Sequence, residues 1–292
     1  MQQALRRATA FVAALASLGC TGDSPVAPET ARPKASVPET SAATAATPGV
    51  TPTDTRVPVL VRAAPPPADA PAAPLLRSST GTNRYSREQS LGFQNGTLAE
   101  PCLGEGESMG AWQLRFSGYG CVGLKAGENG TALSMQPMTA TSTDETHAPL
   151  LLGPEYGDRL MMTARVETVQ QLRRNGEPNA WEVAWLLWQY QDDDHFYYFI
   201  PKPNGWEVGK RDPAYPGGQR FLATGTDLKF PVGRAYNVQI THKGNVFWIV
   251  VDGVALTSFT DTERPYVSGR IALYSEDAEI KVHQVSVRTG AF

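Results

Sequence analysis

The chain has 292 residues, 41% of them hydrophobic, and a formal net charge of −3. That charge, with no basic stripe interleaved with aromatics, argues against nucleic acid as a partner. The aromatics are unevenly placed: none lies between Phe11 and Tyr85, and all six tryptophans lie within 81–292.

Arg6 and Arg7 precede an apolar run, Ala8 to Leu18, that is too short to span a bilayer and has the size of a signal-peptide core. It ends at Leu18-Gly19-Cys20 and resembles a bacterial lipoprotein signal, in which the cysteine becomes the lipidated first residue of the mature chain. The pattern departs at Ser17, where such signals normally carry Leu. Residues 1–20 are therefore expected to direct export and to leave the protein in the cell envelope, lipid-anchored to a bacterial membrane through Cys20. Residues 21–80 are dominated by Ala, Pro, Thr and Ser, and bury too little apolar surface to offset their ordering entropy. They are expected to form a disordered tether with a coil reach of about 40 Å. The remaining stretch, 81–292, is long enough for one core.

In an exported chain, Cys102 and Cys121 remain as a pair once Cys20 is lipidated, and the expectation is a disulfide between them. No Cys-x-x-Cys or paired His spacing accompanies them, which disfavours a metal site there. Strands are predicted at Asp158 to Val169, Tyr236 to Lys243, Val246 to Val251, Val254 to Phe259, Gly269 to Ser275 and Glu279 to Arg288. Asp252-Gly253 between Trp248–Val251 and Val254–Leu256 is a strong hairpin signal, since a type I′ turn needs positive φ at both central residues. No segment carries a helical apolar period. The fold class is all-β, a two-sheet antiparallel jelly-roll sandwich preceded by the tether.

The densest aromatic stretch is Trp181 to Tyr190, an acidic turn through Asp192-Asp193-Asp194, then His195 to Ile200. It reads as a hairpin. Alternation puts Trp181, Val183, Trp185 and Leu187 on one face, and Glu182, Ala184, Leu186, Trp188 and Tyr190 on the other. Both faces are mostly apolar or aromatic, so the strand either sits in the middle of a two-layer sandwich or carries one face in the core and the other in an aromatic-lined groove; the second option makes it a binding surface. Trp188, Tyr190 and Glu182 are assigned to the groove, and Trp181 and Trp185 to the core. Across the hairpin, Tyr198 joins the groove, with Gln189, Lys202, His147 and, at the rim, Trp206 and Lys210 as further ligand-binding candidates. Flat aromatic rings match the C–H faces of sugars, and the polar side chains match hydroxyls. The expected partner is a polysaccharide or other glycan.

Tyr236 to Ile240, Val246 to Gly253, Phe259 to Asp261 and Ser268 to Tyr274 resemble the C-terminal half of concanavalin A-like lectin/glucanase jelly rolls. Gly118-Tyr119-Gly120, Asp144 to His147, Trp181 to Tyr190, Pro203 to Lys210 and Arg220 to Gly225 resemble, more specifically, secreted bacterial jelly rolls related to the 3-keto-disaccharide hydrolase domain and often labelled calcium-binding. The resemblance covers roughly 90–288 and implies the fold far more than an activity. It also implies a structural calcium held by carboxylates near the first and last strands. Here those regions read Phe93-Gln94-Asn95-Gly96 and Val282-His283-Gln284-Val285, poor donors for a hard cation. Glu276-Asp277 and Asp192-Asp193-Asp194 are the remaining candidate ligands.

Retaining glucanases of this fold carry Glu-x-Asp-x-x-Glu on one strand face. No Glu here is followed by Asp two positions later. Two function classes stay open: an exported, membrane-tethered carbohydrate-binding or surface-interaction lipoprotein, and a glycoside hydrolase or polysaccharide lyase with a non-standard acid–base set.

Overall fold

The computed structural model describes residues 86–93 and 102–292. The expected signal at 1–20, the tether at 21–80 and the lipidation site Cys20 lie outside the described residues.

Sixteen strands follow in chain order: β1 (Ser86–Ser90), β2 (Ser108–Met109), β3 (Trp112–Ser117), β4 (Cys121–Gly127), β5 (Gly130–Gln136), β6 (Pro149–Tyr156), β7 (Arg159–Gln171), β8 (Ala184–Asp192), β9 (His195–Lys202), β10 (Gly205–Arg211), β11 (Gln219–Gly225), β12 (Ala235–Lys243), β13 (Val246–Val251), β14 (Val254–Thr260), β15 (Gly269–Ser275) and β16 (Ala278–Gly290). The one helical element among the described residues is a 3-10 turn at Pro216–Gly218. The strands build two antiparallel sheets. The first runs β14-β13-β12-β7-β16-β5-β4, with β1 also paired to β16; the second runs β11-β10-β9-β8-β15-β6-β3-β2.

This is the predicted sandwich, and the reason is visible strand by strand. In the first sheet, Leu160, Met162, Ala164 and Val166 of β7 and Val238 and Ile240 of β12 point inward. In the second, Ala184, Leu186 and Trp188 of β8, Tyr197 and Phe199 of β9, and Ile271 and Leu273 of β15 meet them. Burial of these side chains, about 1.5–3 kcal/mol each, is the main force holding the layers together. Asp252 and Gly253 have φ of 48° and 80°, the paired positive values that the β13–β14 hairpin requires. Cys102 and Cys121 form the expected disulfide, with Cα atoms 5.2 Å apart, and so tie the segment before β2 to the start of β4.

Candidate functional site

Sheet packing occupies only one face of the second sheet. On its other face lies a separate apolar cluster that includes Trp185, Leu187 and Tyr190 of β8, Phe196, Tyr198 and Ile200 of β9, and Tyr274 of β15. These side chains are buried. The rings form a ladder. Tyr198 and Trp185 have centroids 5.2 Å apart, and Trp185 and Tyr274 are 5.1 Å apart, edge to face.

Each end of the ladder is polar. At one end the Tyr198 hydroxyl donates to Glu207 Oε1 at 3.0 Å, and Lys202 Nζ donates to Glu207 Oε2 at 2.8 Å. Gln219 Nε2 donates to the Tyr198 hydroxyl. Gly209 lies beneath this phenol: a Cβ there would come within 2.0 Å of the Tyr198 ring carbon that bears the hydroxyl. At the other end the Tyr274 hydroxyl donates to Glu276 Oε2 at 3.4 Å, and Trp181 Nε1 donates to Glu276 Oε1 at 3.1 Å. Beside Glu276 sits Arg173, which bridges Glu182 Oε1 at 2.6 Å and Asp277 Oδ2 at 2.7 Å. Asn179 Nδ2 also donates to Glu182 Oε1, at 2.7 Å, and the His147 amide donates to Asp277 Oδ1 at 2.8 Å.

Three buried carboxyls around one guanidinium cannot all ionise cheaply. Burial, with Asp277 and Glu182 close by, pushes the Glu276 carboxyl well above the usual range. Burial also pushes Asp277 up to about 7, against the pull of the His147 amide and Arg173. Burial lowers the His147 imidazole, so the ring is neutral at neutral pH. The result is a hydrogen-bond donor and acceptor array with a carboxylic acid, Glu276, at its inner edge.

The residues singled out in the sequence divide by face. Tyr190, Tyr198 and Lys202 lie on the ladder face, and Glu182 and His147 belong to the Arg173 group at its end. The other four do not lie there. Trp188 is between the sheets, stacked 5.5 Å from Tyr197 and edge-on to Phe247. Gln189 is buried and donates to the Gly157 carbonyl at 2.9 Å. Trp206 packs in the inter-sheet core and donates to Asp227 at 3.2 Å. Lys210 is fully buried, held by Asp261 at 2.8 Å and by the Glu263 and Arg264 carbonyls at 2.6 Å each, under the Tyr266 ring.

Two things separate β8 from the expectation. From Val183 to Trp188 the alternation holds with the faces reversed: Ala184, Leu186 and Trp188 face the inter-sheet core, Val183, Trp185 and Leu187 the ladder, and Trp181 packs against that cluster. Beyond Trp188 a bulge intervenes: Gln189 has φ of 50° and the register shifts, so Tyr190 joins the ladder face rather than that of Trp188. Arg173, Tyr274, Glu207 and Gln219 were missed as members of one site, because they come together only through the pairing of β15, β8, β9, β10 and β11.

The calcium expectation does not fit these donors. Asp192 contacts His195 at 2.8 Å, Asp193 contacts Arg115 at 3.2 Å and Asp194 contacts Arg211 at 3.4 Å, so the three carboxylates turn to three separate side chains rather than converge. Asp277 is bound to Arg173. Among the described residues no group of three or more His, Cys, Asp or Glu side chains is placed to hold a metal ion.

No protein-family model matches the chain. No curated protein matches it either. Among solved structures it is similar to the carbohydrate-binding module CBM66 from Bacillus subtilis, at 12% identity over 60% of this chain and 93% of that one, with a TM-score of 0.43. It is also similar to domain 4 of AbnA, an extracellular arabinanase from Geobacillus stearothermophilus in complex with arabinotriose, at 11% identity over 71% and 95%, with a TM-score of 0.48. A third is the exoplasmic domain of VIP36 in its Ca2+/Man3GlcNAc-bound form, at 11% identity over 63% and 85%, with a TM-score of 0.43. Likenesses this distant carry no argument about function.

Proposed function

We propose that the chain is a carbohydrate-binding protein whose ligand, a polysaccharide or shorter glycan, lies along the aromatic face of the second sheet. One observation carries this reading: the ladder Tyr198–Trp185–Tyr274 runs between two hydrogen-bonding ends, Glu207 with Lys202 and Gln219 at one and Glu276 with the Arg173 group at the other. Rings that stack on C–H faces, flanked by groups that satisfy hydroxyls, are the chemistry a sugar chain demands. The test is retention of the whole chain on immobilised cellulose, xylan, arabinan and chitin. Retention on at least one is expected; Trp185 is buried, so Trp185→Ala should lose fold stability as well as binding, and Lys202→Ala is the variant expected to weaken retention with the fold intact. Passage of the wild-type chain through all four columns sinks the reading.

The export reading adds a location. Arg6-Arg7, the run Ala8 to Leu18 and Cys20 support an envelope protein anchored by lipid at Cys20, and a disulfide is the expected state of paired thiols in such a compartment. Mass spectrometry of the mature N-terminus tests this; an unmodified Cys20 is the adverse result.

A second reading, hydrolase or lyase, is favoured by one feature. Burial and the neighbouring carboxylates push the Glu276 carboxyl well above the usual range, the direction a general acid needs. Product analysis on any retained polysaccharide decides it. Binding without new reducing ends or unsaturated products leaves the chain a binding protein.

A further inference from the structure

One turn of the molecule is occupied by the wrong residue for its shape. β3 of the second sheet passes to β4 of the first through Ser117-Gly118-Tyr119-Gly120, closed by the Gly120 amide donating to the Ser117 carbonyl at 3.3 Å. Gly118 and Tyr119 have φ of 63° and 59°, so both central positions are left-handed. Such turns take Asn, Asp or Gly; a bulky aromatic there is strained. Strain of this kind points to something other than the turn itself.

The backbone holds the turn firmly in place. A Cβ on Gly118 would approach Pro149 at 2.8 Å, and one on Gly120 would lie 2.0 Å from the Gln136 carbonyl oxygen. The Met138 amide donates to the Gly118 carbonyl at 3.0 Å, and Cys121, the next residue along, is bonded to Cys102. On this clamped loop Tyr119 points outward: it is 56% exposed, the most exposed of the large hydrophobic side chains. Its ring stands edge-on to His147 at 5.6 Å, and the His147 amide and carbonyl both bond Asp277, so the turn borders the Arg173 end of the ladder.

We propose that Tyr119 is a ligand-stacking residue, a rigid aromatic platform on which a sugar ring beyond the ladder lies flat. The proposal rests on the carbohydrate-binding reading and extends it: a ligand that engages both the ladder and this platform is an oligosaccharide chain rather than a single sugar. Fixing the platform before binding reduces the entropy lost on association. Two substitutions separate the roles of the ring. Tyr119→Asn suits the left-handed turn and removes the ring; Tyr119→Phe keeps the ring and removes the hydroxyl.

The experiment measures thermal unfolding and retention of the whole chain on the cellulose, xylan, arabinan and chitin columns. Tyr119→Asn is expected to melt at or above the wild-type temperature while its affinity for the retaining glycan falls at least tenfold; Tyr119→Phe is expected to bind within threefold of wild type. Tyr119→Asn that binds like wild type, while Trp185→Ala does not, overturns the platform and leaves the ladder standing. Tyr119→Asn that melts well below wild type makes the residue a packing element and also overturns it. A wild-type chain that no column retains removes both readings together.

Discussion

Along β7, partly exposed Met161, Thr163, Arg165 and Glu167 alternate with buried Leu160, Met162, Ala164 and Val166, whereas along β8 every residue from Ala184 to Tyr190 is buried. The first pattern belongs to a sheet with one face in the core and one facing water. On that outer face Arg165 pairs with Glu128 at 2.8 Å and His283 with Glu167 at 3.2 Å, contacts that keep it soluble and add little stability. The second pattern has no polar face to give to water. A sandwich needs only one apolar face per sheet, so the second apolar face of β8, β9 and β15 is surplus to folding. Its side chains are buried, so a ligand can reach the cluster only from its polar ends at Lys202 and Arg173.

If the inter-sheet core and the outer face of the first sheet differ in kind, substitutions on them should differ in consequence. Trp188→Ala empties the inter-sheet core where Trp188 packs on Tyr197 and Phe247, and should cost about 3–5 kcal/mol. Trp248→Ala, on the water-facing side of β13 and 39% exposed, should stay within about 0.5 kcal/mol. Chemical denaturation of both measures the contrast; comparable losses would mean that the outer face of the first sheet is not the inert surface described here.

The two lysines that looked alike in the sequence sharpen the comparison. Lys210 is fully buried against Asp261, with Tyr197 donating to the same carboxylate at 2.6 Å, so Lys210→Ala strands a buried charge and should cost about 3 kcal/mol. Lys202 keeps 16% of its side chain exposed beside Glu207, and Lys202→Ala should cost about 1 kcal/mol or less while weakening glycan retention. Reversed stabilities would put Lys202 in the scaffold and Lys210 at the surface.

These contrasts also explain what could be read from the sequence. The strand bounds of β13 and β15 follow from local signals, because Asp252-Gly253 fixes a turn and Gly269 starts a strand after one. Which face of β8 meets the core does not follow from the strand, because both of its faces are apolar. The face of Tyr190 does not follow either, because its cause is remote: Gln189 bulges, and what permits it is Gly269 on the neighbouring strand, where a Cβ would lie 2.5 Å from the Gln189 carbonyl carbon. Tyr198 lies opposite Leu187 and so shares the face of Trp185, not that of Trp188 with which alternation grouped it. Arg173 is not legible because its partners Glu182 and Asp277 come from separate loops.

The disulfide provides an intermediate effect. Cys102→Ser with Cys121→Ser removes the bridge and should lower stability by about 2–3 kcal/mol through the freed loop. Because that bridge anchors β4 directly after the Tyr119 turn, glycan affinity should fall as well, by less than in Tyr119→Asn. Unchanged stability on reduction would show that packing alone holds the segment before β2 against β4.

The smallest effect lies at the Arg173 end of the ladder and depends on pH. Glu276 is raised by burial and by Asp277 and Glu182, so the folded protein keeps a proton that the unfolded chain releases above its ordinary value of 4.5. Stability from this group is complete below that value and is lost as pH rises toward the folded value. Asp277, raised to about 7, acts in the same direction, while His147, lowered by burial, acts in the opposite one. The sum in the wild type is therefore less informative than a difference. Glu276→Gln keeps an acceptor oxygen and cannot ionise, so its stability relative to wild type should climb between pH 5 and pH 8. Arg173 and the nearby Glu145 are present in both proteins and cancel from the comparison. A difference that stays flat or falls with pH would mean that Glu276 is ionised in the fold, and the buried acid at the end of the ladder would have to be given up.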